Sequence, residues 1–158
     1  MSLSINKEKI KTYAVSILVP LVLGAIVGVL TTRTMHYENL NKPFLAPPAI
    51  LFPIAWSILY TLMGISHGML KWSRLSTPDT EAIYYAQLIV NLIWPILFFS
   101  LEWRLFSFIW IILLDILVIT MTLKFYRKDK TAGLLQIPYC LWLIFASYLN
   151  LATYLLNR

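Results

Sequence analysis

Aromatic and polar side chains recur at helical spacing within the apolar stretches of this sequence. Three sets each fall on one face of a helix: Trp56, Tyr60, Met63 and His67; Gln87, Asn91, Trp94 and Phe98; Trp142, Ala146, Asn150 and Thr153. Flat rings beside a few amide and hydroxyl groups suit a pocket for a large, flat, mostly apolar ligand. The alternative is that Asn91 and Asn150 only bond to neighbouring helices.

The sequence contains few candidate residues for catalysis or metal binding. Asp115 lies in the middle of an apolar stretch, where a charged carboxylate is costly, so we expect it to be protonated, paired or facing the interior. A structural role is favoured over a proton relay, because no second carboxylate lies at matching depth. The sequence has too few titratable groups, too widely scattered, to form a metal site or a catalytic nucleophile with its general base. We therefore expect no catalytic residue and no metal.

The elements that carry these faces are long apolar runs. Membrane-crossing helices need roughly 20 apolar residues, and five such runs occur, at about residues 14–30, 48–70, 82–101, 105–123 and 132–156. The sequence predicts an all-α integral membrane protein, a single domain over residues 1–158, built as a bundle of five transmembrane helices. Residues 31–47 form a long loop between helices one and two, and loops of that length without regular structure are usually functional or disordered.

Composition agrees with this prediction. Of the 158 residues, 59% are apolar and only 13% charged, which excludes an ordinary soluble enzyme and a disordered chain. The net charge of +6 is spread between the apolar runs, which favours a role in membrane topology over nucleic-acid binding. Most Lys and Arg residues fall in the N-terminal tail and the second and fourth connections. The amino terminus is therefore predicted to be cytoplasmic, with the first loop outside.

Prolines and glycines predict how the helices bend and pack. Pro20, Pro53, Pro95 and Pro138 lie within or at the edge of the predicted spans and should kink them. Two pairs of glycines have the four-residue spacing that lets helix backbones approach closely: Gly24 with Gly28, and Gly64 with Gly68. We expect them to pack helices within one subunit, with a dimer contact as the alternative.

Three stretches together resemble one family, the translocator protein and tryptophan-rich sensory protein family, also called the peripheral benzodiazepine receptor family. The residues of the first loop and second span that carry the resemblance are Tyr37, Leu40, Lys42, Pro43, Pro47, Pro48, Phe52, Pro53, Trp56, Leu59, Tyr60, Met63 and Gly64. Those of the third and fifth spans are Gln87, Leu88, Asn91, Trp94, Pro138, Tyr139, Trp142, Phe145, Ala146, Leu149 and Asn150. Leu45 departs from many relatives, which carry tryptophan there.

The resemblance implies a five-helix bundle, often a homodimer, whose first loop caps a ligand pocket. It implies protoporphyrin IX, heme or another tetrapyrrole as ligand, with isoquinoline carboxamides and, in animals, cholesterol as further family ligands; no cofactor is obligatory. The pocket residues it implies are Tyr37, Trp56, Tyr60, Asn91, Trp94, Trp142 and Ala146. A bacterial-type member in the bacterial cell membrane is expected.

The function expected from this resemblance is a membrane receptor or sensor that binds tetrapyrroles and acts in their sequestration, transport or a stress response. One alternative is light- and oxygen-dependent breakdown of the bound porphyrin. The other is transport of small hydrophobic solutes, which the lack of internal repeats disfavours.

Overall fold

The computed structural model describes residues 2–33 and 39–158, and within them every regular element is helical. The helices are α1 (Ser2–Thr32), α2 (Leu51–Trp72), α3 (Pro78–Pro95), α4 (Arg104–Lys128), α5 (Lys130–Leu134) and α6 (Ile137–Leu156). A π-helical turn, Ile96–Ser100, extends α3. The all-α prediction is confirmed.

Helix boundaries follow local chemistry more closely than hydropathy. Helix α3 begins at Pro78, ahead of the predicted residue 82, because Thr77 and Thr80 form a capping box and proline suits the first helical position. The predicted fifth span is divided into α5 and α6 at residues 135–136. Pro138 lies in the first turn of α6, where its missing N–H leaves no bond unmade.

Four segments within the described residues are long and apolar enough to cross a membrane: Ile5–Thr32, Pro78–Ser100, Arg104–Lys128 and Lys130–Leu156. Helix α2, with 22 residues, is not in this set, because Trp, Tyr, Ser, Thr and His residues lower its hydropathy. Large apolar side chains are exposed along the outer faces, such as Leu18, Ile109, Ile116 and Leu141. Such faces suit lipid, and the chain is an integral membrane protein.

The helices pack in the order α2, α1, α3, α4, α6, because each of these neighbouring pairs makes close backbone contact. Helices α6 and α2 complete the ring through aromatic side chains: the Trp56 ring lies 6.0 Å from the Tyr139 ring and 6.5 Å from the Trp142 ring. The centre of the bundle between α2, α3 and α6 is therefore filled by side chains.

Glycines allow α1 to approach α2. A Cβ atom at Gly64 would lie 2.4 Å from Ile17 Cα, and one at Gly24 would lie 2.2 Å from a ring carbon of Tyr60. Both distances are far below a normal contact, so only glycine fits there. Gly68 approaches Tyr13, whereas a Cβ at Gly28 would meet nothing within 4 Å. Packing within one subunit is confirmed for three of the four glycines.

Candidate functional site

A small cavity lies at the end of the bundle that carries the loop between α1 and α2. Its wall comes from the loop, the start of α2, the end of α3 with its π turn, and α6: Pro43, Ala46, Phe52, Trp94, Phe98, Phe99, Ala146, Leu149, Asn150 and Thr153. Most of these side chains are apolar. The cavity volume is about 30 Å³, enough for only a few atoms.

The loop covers this cavity with a tight turn. Ala46 N–H donates to the Pro43 carbonyl at 3.1 Å, and Leu45 between them has a φ of 68°, in the left-handed region that a branched side chain rarely occupies. Pro43 is buried, while Phe44 and Leu45 are exposed. Pro43 and Ala46 thus form the roof, and the Leu45 side chain contributes no ring to it.

Hydrogen bonds from α6 hold the loop in place. Asn157 donates from Nδ2 to the Asn41 carbonyl and accepts from the Asn41 N–H at Oδ1, both at 3.0 Å. Tyr148 O–H donates to the Phe44 carbonyl at 2.8 Å. We call these bonds the loop latch. All of them are exposed, so water competes for each partner.

An aromatic cluster, formed by Phe52, Trp56, Tyr60, Tyr139 and Trp142, adjoins the cavity. Trp56 lies over Tyr60 with ring centroids 5.3 Å apart, and Trp142 meets Phe52 edge to face at 6.3 Å. Phe52 also lines the cavity, so cluster and cavity are continuous. Trp56 and Trp142 are only half-buried.

A buried chain of hydrogen bonds fixes the spacing of α2, α3 and α6 beneath the cluster. Tyr60 O–H donates to Asn91 Oδ1 at 2.6 Å, and Asn91 Nδ2 donates to the Tyr139 hydroxyl at 2.5 Å. Tyr139 O–H in turn donates to Gln87 Oε1 at 3.0 Å. Asn91 therefore forms hydrogen bonds with both α2 and α6. Its contact with a ligand stays a prediction.

The π turn after Pro95 shapes the other wall. Proline cannot donate a backbone hydrogen bond, so the regular ladder is interrupted there, and one π turn is inserted at Ile96–Ser100. Phe98 stacks on Trp94 with ring centroids 5.5 Å apart, while Phe99 meets Trp94 edge to face at 5.9 Å. Both consecutive phenylalanines line the cavity as a result. The sequence predicted a kink at Pro95, and the structure has a π turn directly after it.

The predicted pocket residues divide into groups. Trp94 and Ala146 line the cavity. Trp56, Tyr60 and Trp142 belong to the adjoining aromatic cluster, with Asn91 below it. Tyr37 lies outside the described residues. The loop residues Pro43 and Ala46 were absent from the predicted set, as were Phe52, Phe99 and Leu149.

Two polar residues singled out from the sequence lie elsewhere. Asp115 on α4 accepts a hydrogen bond from Ser147 Oγ on α6 at 2.7 Å, so the expectation that it is paired is confirmed. His67 faces Glu81 at the opposite end of α2, with Nε2 and Oε1 2.9 Å apart, and stacks on Tyr84. Neither residue lines the cavity.

The chain is similar in sequence to several known proteins. Residues 16–155 match the family model described as the TspO/MBR family. The chain is 40% identical over 150 residues to the Tryptophan-rich protein TspO of Archaeoglobus fulgidus, covering 90% of this chain and 94% of that one. It is 34% identical to the Tryptophan-rich sensory protein of Cereibacter sphaeroides, over 84% of each chain. With the human Translocator protein it shares 30% identity, over 81% of this chain and 80% of that one.

Proposed function

Because the chain belongs to the TspO/MBR family, we propose that this membrane protein is a receptor for tetrapyrroles. Protoporphyrin IX or heme is the proposed ligand, and isoquinoline carboxamides are proposed as synthetic competitors. The binding site is the region between α2, α3 and α6, under the loop. The biological role follows as sensing, sequestration or movement of the porphyrin.

One observation carries this proposal: a half-buried aromatic cluster is continuous with an apolar cavity beneath a loop whose hydrogen bonds to Tyr148 and Asn157 are exposed. A porphyrin needs broad flat apolar contact, which Trp56 and Trp142 supply at low entropic cost. Known ligand cavities measure about 300–1,000 Å³, against about 30 Å³ here. The proposal therefore includes opening of the loop when the macrocycle enters.

Each predicted residue has a role in this proposal. Trp56, Tyr60 and Trp142 contact the macrocycle, while Trp94 and Ala146 contact the part of the ligand that enters the cavity. Asn91 acts by holding Tyr60 and Tyr139 at their positions. Tyr37 is proposed to complete the cover from the loop.

Titration of protoporphyrin IX into the detergent-purified protein tests the proposal, followed by the shift of the porphyrin's Soret absorption band. We expect saturable binding that Trp56→Ala weakens several-fold. Trp72→Ala is the matched control, because Trp72 lies at the other end of α2 and packs near Lys9. Absence of saturable binding in the unmodified protein would refute the proposal, as would equal effects of the two substitutions.

Two further functions are distinguished by separate measurements. Illumination of the complex in air tests light-dependent breakdown, for which bound porphyrin must lose its Soret band faster than free porphyrin. Flux of a porphyrin or a small apolar solute into liposomes tests transport.

The proposal also includes the membrane arrangement. Helix α2 has 22 residues and packs along α1, and at 1.5 Å per residue it is about 33 Å long, enough to cross a bilayer. We propose it as the fifth span, in a bacterial cell membrane with the amino terminus in the cytoplasm, and we propose a homodimer. Labelling of single cysteines at Ser73 and Ala49 from opposite sides of the membrane tests the α2 span; labelling of both from one side contradicts it.

A further inference from the structure

Two buried polar atoms, on residues of the cavity wall, have no hydrogen-bond partner among the residues that the structure describes. They are Nε1 of Trp94 and Oδ1 of Asn150, whose residues are only 5% and 1% exposed. Both residues line the cavity. Buried polar groups are nearly always bonded, and because both residues line the cavity, a bonding partner there would satisfy both atoms.

The two atoms have complementary chemistry. The indole N–H can only donate a hydrogen bond, and the amide oxygen can only accept one. A partner for both must therefore accept from Trp94 and donate to Asn150. Protonated carboxylic acids and primary amides do this with two neighbouring atoms, whereas an ionised carboxylate would face the Asn150 oxygen with a second acceptor.

The surroundings restrict the size and charge of that partner. The cavity holds about 30 Å³, so a carboxyl-sized group fits and a macrocycle does not. Apolar side chains make up most of the remaining wall, including Phe52, Phe98 and Leu149. An ionised group there would lose its hydration and would meet no opposite charge among the residues that line the cavity, so a neutral group is favoured.

We propose that Trp94 and Asn150 anchor one protonated propionic acid group of the tetrapyrrole, while its macrocycle lies against the aromatic cluster. This inference rests on the proposed function. It adds that a propionic acid end of the ligand enters the cavity first, and that this group is protonated. Phe52 connects the two parts, because it lines the cavity and contacts Trp142.

Three porphyrins test the proposal with the unmodified protein: protoporphyrin IX, its bis-amide and its dimethyl ester. The acid and the primary amide can both accept and donate, whereas the ester can only accept. We expect the acid and the amide to bind about 3- to 10-fold more tightly than the ester, the range that one hydrogen bond supplies. Equal binding of all three porphyrins would overturn the anchor.

Substitutions of Asn150 and Trp94 test which atoms bind the propionic acid group. Asn150→Leu should abolish the preference over the ester, whereas Trp94→Phe should weaken all three porphyrins by a similar factor and keep the preference. Trp103→Phe is the control, because Trp103 is 57% exposed and does not line the cavity. If Asn150→Leu lowers thermal stability yet keeps the wild-type ratio of acid to ester affinity, the two residues form a structural pair bridged by water, which overturns the proposal.

The outcomes separate the two proposals. If the unmodified protein binds none of the three porphyrins, the proposed function fails and the anchor fails with it. If it binds them without discrimination, only the anchor fails.

Discussion

Replacing Asn91 by leucine should test what the buried hydrogen-bond chain contributes. Leucine has a similar branched shape but cannot form hydrogen bonds, so two bonds are lost: from Tyr60 O–H to Asn91 and from Asn91 to the Tyr139 hydroxyl. The Tyr139 hydroxyl keeps Gln87, while the Tyr60 hydroxyl loses its partner. Side-chain hydrogen bonds between membrane helices contribute about 0.6 kcal/mol on average and about 1.7 at most. We therefore expect Asn91→Leu to lower the free energy of unfolding by about 1–3 kcal/mol.

A double-mutant cycle isolates the bond to Tyr60. Because Tyr60→Phe and Asn91→Leu remove the same bond, the double variant should lose about 0.6–1.7 kcal/mol less than the sum of the single losses. Tyr148→Phe is the matched control. Its hydroxyl bonds the loop carbonyl of Phe44 and is not part of the buried chain, so its loss should add to that of Asn91→Leu.

The assay is unfolding by sodium dodecyl sulfate in mild-detergent micelles, followed by circular dichroism. Protoporphyrin IX affinity is measured on the same samples. If Asn91 acts through helix spacing, Tyr60→Phe and Asn91→Leu should weaken binding to a similar extent. Additive stability losses, within about 0.3–0.5 kcal/mol, would refute the energetic link. Weaker binding in Asn91→Leu alone would show that the amide contacts the ligand.

Three further predictions concern packing, access and the π turn. Gly64→Ala should destabilise the protein by about 1–3 kcal/mol, because its Cβ would lie 2.4 Å from the α1 backbone, while Gly28→Ala should leave the unfolding midpoint unchanged or raise it. Asn157→Ala should raise porphyrin association and dissociation rates several-fold in stopped-flow absorbance, and unchanged rates would contradict the latch. Pro95→Ala should let α3 continue as regular helix and turn Phe99 from the cavity, lowering porphyrin affinity with little change in helix content.

Helical spacing predicted the faces of the site because that information is local. Gln87, Asn91 and Trp94 are all buried on one side of α3, and Ala146 and Asn150 share one side of α6. Each set depends only on the turn of a helix, which sequence separation fixes. The π turn could not be read in the same way, because Pro95 indicates an interruption but not how many residues it adds.

Contacts between residues that are far apart in the sequence could not be predicted from the sequence. Asn157 reaches Asn41 across a sequence separation of 116 residues, and Asn91 reaches Tyr139 across 48. No periodicity relates such pairs, since they depend on how whole helices pack. Because packing cannot be read from helical spacing, Asn91 and Asn150 looked equivalent in the sequence. Packing gives Asn91 two hydroxyl partners and leaves Asn150 Oδ1 unpaired at the cavity.

The difference between buried and exposed hydrogen bonds indicates where the site opens. Separating α2 from α3 breaks the Tyr60–Asn91 bond in a place that water does not reach, so both partners would lose a bond without replacement. Releasing the loop breaks bonds of Asn157 and Tyr148 that are already exposed, and water replaces them at little cost. A ligand larger than the cavity should therefore displace the loop and leave the helices in place.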